Sequence, residues 1–264
     1  MGILNITNDS FSDGGKYYEP ELAIRRGIEI EAEGADLIDV GAESTRPGSE
    51  PVSLKEELRR LLPVVDGLLN NVQLPISIDT YKARVAEEVL QRGVHLINDI
   101  SGLRFDPEMK NVVAKYQAPV VISHIKGTPK DMQQNPHYTN LVGEIYDYLS
   151  NSVTLAIEAG VAPQNIVVDP GIGFGKRLGD NYEILRRLNE FSELGYPLLI
   201  GPSRKSFIGK VLNAEPDQRL EGTAAAVALG IQNGANIVRV HDVKEMMRVC
   251  RIADLIVGKT SVEQ

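Results

Sequence analysis

Residues 236–258 read NIVRVHDVKEMMRVCRIADLIVG. The first five form a short apolar, β-branched run. The rest repeats apolar residues at helical spacing and stops at Gly258. This strand–helix pair decides the fold, because it is the eighth. The earlier strand candidates are GILNI (2–6), DLIDV (36–40), ISID (76–79), HLIND (95–99), PVVISH (119–124), NIVVD (165–169) and PLLIG (197–201). Each is bounded by Gly, Pro or polar residues. Helix candidates fall between them. They cover 20–35, ending at Gly34; 53–71, with Ser53 as a cap and Glu56 completing a capping box; and 80–93, from Thr80 to Gly93. A segment within 106–116, then 140–160, 181–191 and 218–234, complete the set. Eight pairs in 264 residues predict an α/β fold of the (β/α)8 TIM-barrel type rather than a doubly wound open sheet. No composition shift or long linker divides the chain, so a single domain over 1–264 is expected.

Composition narrows the function. A net charge of -8, with Lys and Arg scattered among acids, argues against nucleic acid as a partner. The lone cysteine, Cys250, excludes an internal disulfide and fits a reducing, cytoplasmic setting. No apolar run is long enough to span a membrane. The opening MGILNITNDS has neither the basic nor the apolar region of a signal peptide.

In a barrel of this type the chemistry sits at the C-terminal ends of the strands. Those ends carry Asn5, Asp39, Asp79, Asn98, Asp99, His124, Asp169, the SRKS block (203–206), Arg239 and His241. One Asp at a strand end is usually a helix cap or turn residue. A whole ring of polar ends points to a site. Asp79, Asn98 and Asp169 are acceptors suited to a heterocycle with a guanidine-like edge of N–H donors. Lys205, Arg239 and His241 suit an anion such as a phosphate or diphosphate. The ring thus reads as two arcs, one for a flat base-like ring and one for a phosphorylated tail.

Two loops add to this. GILNITNDSFSDGGKY (2–17) follows its strand with a polar run too long for a simple connection. GAESTRPGSEP (41–51) is a second such loop, in which Arg46 could reach an anion or simply face water. The glycines of DPGIGFGK (169–176) match neither a P-loop nor a dinucleotide fingerprint. They are read as sharp turns at the barrel mouth, close enough for a flat ligand to approach beside Phe174. No Cys/His cluster supports structural zinc. Oxygen donors such as Asn5 and Asp9 suit magnesium.

These blocks, with SIDTYKARVAEEVL, INDISG, GPSRKSFIG and GTAAAVALGIQNGANIVRVHDV, run almost end to end in a recognisable order. The chain resembles the dihydropteroate synthase family, the folate-pathway enzymes targeted by sulfonamides. That resemblance implies a (β/α)8 barrel that pairs as a homodimer through its last helices, where the run Thr223–Ala226 would suit the contact. It implies condensation of 6-hydroxymethyl-7,8-dihydropterin diphosphate with 4-aminobenzoate, with Mg2+. Carried over, Asp79, Asn98, Asp169 and Lys205 would hold the pterin. Asn5, Arg239 and His241 would hold the diphosphate, Asn5 also through the metal with Asp9. Asp9, Lys205, Arg239 and His241 would serve catalysis. Phe11, Thr45, Arg46, Pro47, Phe174 and Ser206 would surround aminobenzoate, and the loop after Asn5 would be a lid. The chain departs from the family at Asn8, where Pro is usual, and at Ile125 in SHIKG (123–127). A pterin-binding methyltransferase and a non-catalytic pterin-binding module are the competing readings. The first has no need of Lys205, Arg239 and His241 around a diphosphate.

Overall fold

The computed structural model describes residues 1–6 and 20–261. Six strands pair in parallel and in chain order: β1 (Gly2–Asn5), β2 (Ile38–Gly41), β3 (Ile76–Asp79), β4 (Leu96–Asp99), β5 (Val120–Ser123) and β6 (Ile166–Asp169). The strands β7 (Leu199–Ile200) and β8 (Ile237–Val238) pair with each other. Single parallel bridges from Val168 to Leu198 and from Val240 to Gly2 close the ring. The amino terminus joins this seam, donating to the Val238 carbonyl at 3.1 Å. The result is the expected eight-stranded barrel, not an open sheet. β7 and β8 are shorter than their apolar runs. Beside them the Asn236 side chain takes the Leu198 N–H at 2.8 Å, a bond that a longer ladder would give to backbone.

The helices follow their strands: α1 (Pro20–Ala32), α2 (Leu54–Asn71), α3 (Ala83–Leu90), α4 (Met109–Tyr116), α5 (Leu141–Glu158), α6 (Leu178–Arg186), α7 (Ser206–Leu212), α8 (Leu220–Gln232) and α9 (Val243–Ile256). Ser53 caps α2 through the Glu56 N–H at 3.3 Å, while the Glu56 carboxylate pairs with Arg59 and Arg60. α3 starts later than expected. The Thr80 hydroxyl donates to the buried Glu57 at 2.7 Å and accepts the Lys82 N–H at 3.2 Å, a turn that precedes the helix rather than its cap. α6 starts earlier than expected, since the Asp180 carboxylate accepts the Arg177 N–H at 2.8 Å and sets the first turn there. α7 is an extra short helix between β7 and the expected seventh helix.

Two layers fill the barrel. Met1, Leu96, Val121 and Leu199 form an apolar floor, with Val167 and Ile237 packed against them. Two residues further along a strand the side chain returns to the same face. That step leads from Leu96 to Asn98, from Val121 to Ser123, from Val167 to Asp169 and from Ile237 to Arg239. The interior therefore changes from apolar to polar toward the C-terminal mouth. The larger core lies between the sheet and the helices.

Candidate active site

Arg239 crosses the mouth. Its Nε donates to Asp39 Oδ2 at 2.6 Å, and its Nη2 to Asp79 Oδ2 at 2.9 Å. Gly201, beside it, leaves room: a Cβ there would stand 3.8 Å from the Arg239 Cβ. Burial disfavours the guanidinium charge, but the carboxylates of Asp39 and Asp79 outweigh it and hold its pKa above the ordinary value. Burial also pushes the Asp79 carboxyl upward. Arg239 opposes that shift, and Asp39 and Glu57 add to it. Asn5 ends β1 on the same side. A Cβ on Gly41 would lie 3.7 Å from both Asn5 Oδ1 and Asp79 Oδ2, so these oxygens flank one point of the rim.

Asn98 is buried and donates from Nδ2 to Asp39 Oδ2 at 3.1 Å. Its carbonyl oxygen is then the acceptor that it can offer a ligand. Asp169 is also buried. Its Oδ1 accepts the Gly171 N–H at 2.7 Å and its Oδ2 the Ser123 hydroxyl at 3.4 Å. Each oxygen keeps a further lone pair, enough for a bidentate grip. Burial raises the Asp169 pKa, against the pull of Lys205.

The Gly-rich run turns where the sequence predicts it. Gly171, Gly173 and Gly175 have φ of 70°, 85° and 63°. The run presents the Ile172 carbonyl, which accepts from Lys205 Nζ, and the Phe174 ring, 4.4 Å below that ammonium. Burial lowers the Lys205 pKa to about 8; Asp169 opposes this and Arg239 adds to it. Phe174 packs against Ile100, Ile125 and Met132, so Ile125 forms part of an apolar wall.

His241 is set by Ser203. The hydroxyl accepts the His241 backbone N–H at 3.1 Å and lies 3.0 Å from Nδ1. In the tautomer whose Nδ1 accepts the Ser203 hydroxyl proton, Nε2–H is the ring's free donor. Burial, then Arg239 and Arg204, hold the ring pKa down at about 3, so His241 acts as a neutral donor.

Ser206 is exposed at the start of α7, and Arg46 and Pro47 are exposed in the second loop, with Thr45 half-buried. The base of that loop is stapled by Glu43, which accepts the Val52 N–H at 3.2 Å and pairs with Tyr81 and Lys82. Asp9, Phe11 and Asn8 lie outside the described residues. The structure thus brings together Asn5, Asp79, Asn98, Asp169, Lys205, Arg239 and His241. The two arcs are not separate, because Arg239 is bonded into the acidic one.

Asp39 and Ser203 belong to the ring of polar strand ends but carry no assigned role in the sequence, and Ser123 is not in it; each fixes a neighbour. The period of two marks Asp39 and Ser123 as inward-facing, but nothing in the sequence reports their bonds. Lys176 carries no signal, since lysines are rarely buried. Here it is 2% exposed, and its Nζ reaches His124 Nδ1 at 2.7 Å and the Phe174 carbonyl at 3.0 Å. His124 accordingly turns into the packing between Tyr138 and Tyr148. Among the described residues no group of three or more His, Cys, Asp or Glu is placed to hold a metal.

A barrel whose mouth pairs buried acceptors for a flat polar ring with cations for an anion defines a heterocycle-binding enzyme of the TIM-barrel class. Comparison with known proteins gives the particular family. The signature described as pterin binding enzyme matches residues 1–241. A dihydropteroate synthase of Synechocystis is 49% identical over 257 residues, spanning 97% of this chain and 89% of its own. A crystal structure of the Clostridium difficile dihydropteroate synthase, obtained with pteroic acid, is 50% identical with a TM-score of 0.91, covering 97% of this chain and 95% of that one. The Xanthomonas albilineans dihydropteroate synthase with 4-aminobenzoic acid is 41% identical with a TM-score of 0.91, covering 97% and 91%. The chain belongs to the pterin-binding enzymes and, within them, to the dihydropteroate synthase family.

Proposed function

We propose that the chain condenses 6-hydroxymethyl-7,8-dihydropterin diphosphate with 4-aminobenzoate, releasing diphosphate and forming 7,8-dihydropteroate. One observation carries this reading: the buried acceptors Asp79, Asn98 and Asp169 share a mouth with Lys205 and Arg239. Asp169 takes the donor edge of the pterin, with Asn98 beside it. Arg239 and the Nε2–H of His241 bind the diphosphate. The bond between the methylene carbon and the diphosphate oxygen breaks, and its electron pair leaves with the diphosphate. The pterin methylene is left as a cation spread into the ring, which the neighbouring carboxylates tolerate. The amine of aminobenzoate then gives its lone pair to that carbon and loses a proton. It is neutral at pH 7, so no strong base is required. Phe174, Ser206, Thr45, Arg46 and Pro47 form the proposed aminobenzoate seat, with Phe11 proposed as a further member outside the described residues, and the chemistry requires that water be kept from it. A methyltransferase has no use for a leaving-group pocket built from Arg239 and His241.

Magnesium fits as a partner of the substrate. Among the described residues Asn5 offers it an amide oxygen, and Asp9 is the second proposed ligand. Mg2+ keeps several waters and takes other ligands from substrate phosphates, so a sparse protein donor set is consistent with it. When bound, it supplies Lewis-acid charge to the departing diphosphate. The protein works as a homodimer, supported by the apolar faces of α7, α8 and α9, and in a reducing cytoplasm, supported by its single thiol.

The test is diphosphate release measured with and without aminobenzoate and Mg2+. Release and dihydropteroate are expected in equal amounts when all components are present. Asp169→Ala is expected to weaken pterin binding by roughly 2–5 kcal/mol, because ring donors lose their acceptor. Turnover without aminobenzoate consumption, or unchanged pterin affinity in that variant, refutes the assignment.

A further inference from the structure

Asp39 has no accessible surface, and it stands inside the barrel opposite Ser77 in the β2–β3 register. One of its oxygens does two jobs. Oδ2 accepts from Arg239 Nε at 2.6 Å and from Asn98 Nδ2 at 3.1 Å. These donors serve different halves of the reaction as proposed above: Asn98 faces the bicycle, and Arg239 the leaving diphosphate. The other oxygen, Oδ1, is buried without a partner among the described residues, as is the hydroxyl of Ser77. No side-chain bond therefore pins the carboxylate from that side, and its orientation is set by its two donors. A buried carboxylate has no bulk water to replace a lost donor, so leaving it unpaired is costly. The amide, the carboxylate and the guanidinium must then move as a unit.

We infer that Asp39 is a positioning residue that couples the pterin half of the site to the diphosphate half. The inference rests on the proposed function, which places those ligands on Asn98 and Arg239. A diphosphate that fixes the guanidinium also fixes Oδ2, and with it the Asn98 amide. The second ligand then finds its contact already ordered and binds more tightly. Linkage requires the effect to be reciprocal. A substrate carrying both groups gains from the coupling, and it loses that gain once the diphosphate departs.

The test is calorimetric titration of the wild type with bare 6-hydroxymethylpterin, alone and with saturating inorganic diphosphate and Mg2+. Diphosphate is expected to tighten pterin binding by about fivefold or more. The pterin is expected to tighten diphosphate by the same factor. Asp39→Ala removes the one oxygen that both donors share. In that variant each ligand still binds and the factor falls to near one. An unchanged factor in Asp39→Ala, or no coupling in the wild type, overturns the inference. A wild type that binds neither ligand overturns the functional reading itself, which is a different result. Should Asp39→Ala lose its fold by circular dichroism, a second measurement decides. With Asp39 intact, Asn98→Ala and Arg239→Ala combined are expected to depart from the product of their separate effects on kcat/KM. Strict multiplicativity sinks the coupling.

Discussion

Lys205 is held by a carbonyl and an aromatic face rather than by a carboxylate partner. Burial therefore lowers its pKa, with Asp169 restoring part of the loss, and it titrates near pH 8. The sign follows directly. Below that pH the ammonium is charged and can meet an anionic substrate; above it the charge is lost. The kcat/KM for the pterin diphosphate is expected to fall as pH rises through about 8, since this quantity reports the free enzyme. The kcat limb is expected at higher pH, because bound diphosphate favours the charged form. A pH–rate series on the wild type and Lys205→Met checks both. The variant is expected to lose the limb along with most of its activity, and a wild-type profile that stays flat well above that pH removes Lys205 from substrate binding. At this scale the sequence was informative about residue type and weak about partners. Asp79, Asn98 and Asp169 were legible because each ends an apolar run. The Asp39 bonds were not, because Asn98 and Arg239 lie 59 and 200 residues away in the chain. His241 was legible as a polar strand end, but its tautomer depends on Ser203, a contact no spacing reveals.

Among the connecting elements, the loop after β6 is the most constrained. Gly171 has a φ of 70°, and a Cβ there would stand 1.8 Å from the His124 carbonyl oxygen. Backbone cannot yield to that contact as a flexible side chain could. Gly171→Ala is expected to cost more than about 3 kcal/mol of stability, by the combined clash and left-handed strain. Urea unfolding against the wild type measures this, with Gly179→Ala as the control, since a Cβ at Gly179 meets nothing within 4 Å. A loss at Gly171 no larger than that at Gly179 means that the loop can shift away from β5. The glycines were legible as turns, yet the reason for their rigidity was not. Lys176 and His124 lock the run from beneath, and burial drives both the amine and the ring toward their neutral forms. Helix boundaries were blurred for a similar reason. Thr80 has the chemistry of a cap, but tied to Glu57 it accepts the Lys82 N–H in a turn and the helix begins three residues later, at Ala83. α7 was missed because it has only seven residues, too few for a periodic pattern to stand out.

For the whole molecule, the strand–helix count was enough to predict a closed barrel, and two single bridges complete it. The small-residue run 223–226 is a more mixed case. Thr223 and Ala226 are buried against the barrel, so only part of the run faces outward. The outward apolar surface instead comes from larger side chains. Val211 and Leu212 on α7, Leu229 on α8, and Ile252 and Ile256 on α9 are each more than half exposed. An apolar groove of about 450 Å³ runs between α6, α7 and α8, with Phe207 and Leu229 in its wall. Exposed apolar patches of this kind mark association surfaces, and a second copy presenting the same faces is self-complementary across a two-fold axis. The wild type is expected to sediment as a dimer, and Val211→Asp combined with Leu229→Asp as a monomer, because each buried copy of the interface would then carry unpaired carboxylates. α7 begins at Ser206, directly after Lys205, so it joins the site at one end to the exposed Val211 and Leu212 at the other. Loss of the partner is therefore expected to lower kcat/KM for aminobenzoate more than the affinity for the pterin, whose proposed ligands Asp79, Asn98 and Asp169 are buried within the barrel. A double variant that remains dimeric places the interface elsewhere. One that is monomeric with unchanged kinetics removes the link between α7 and the site.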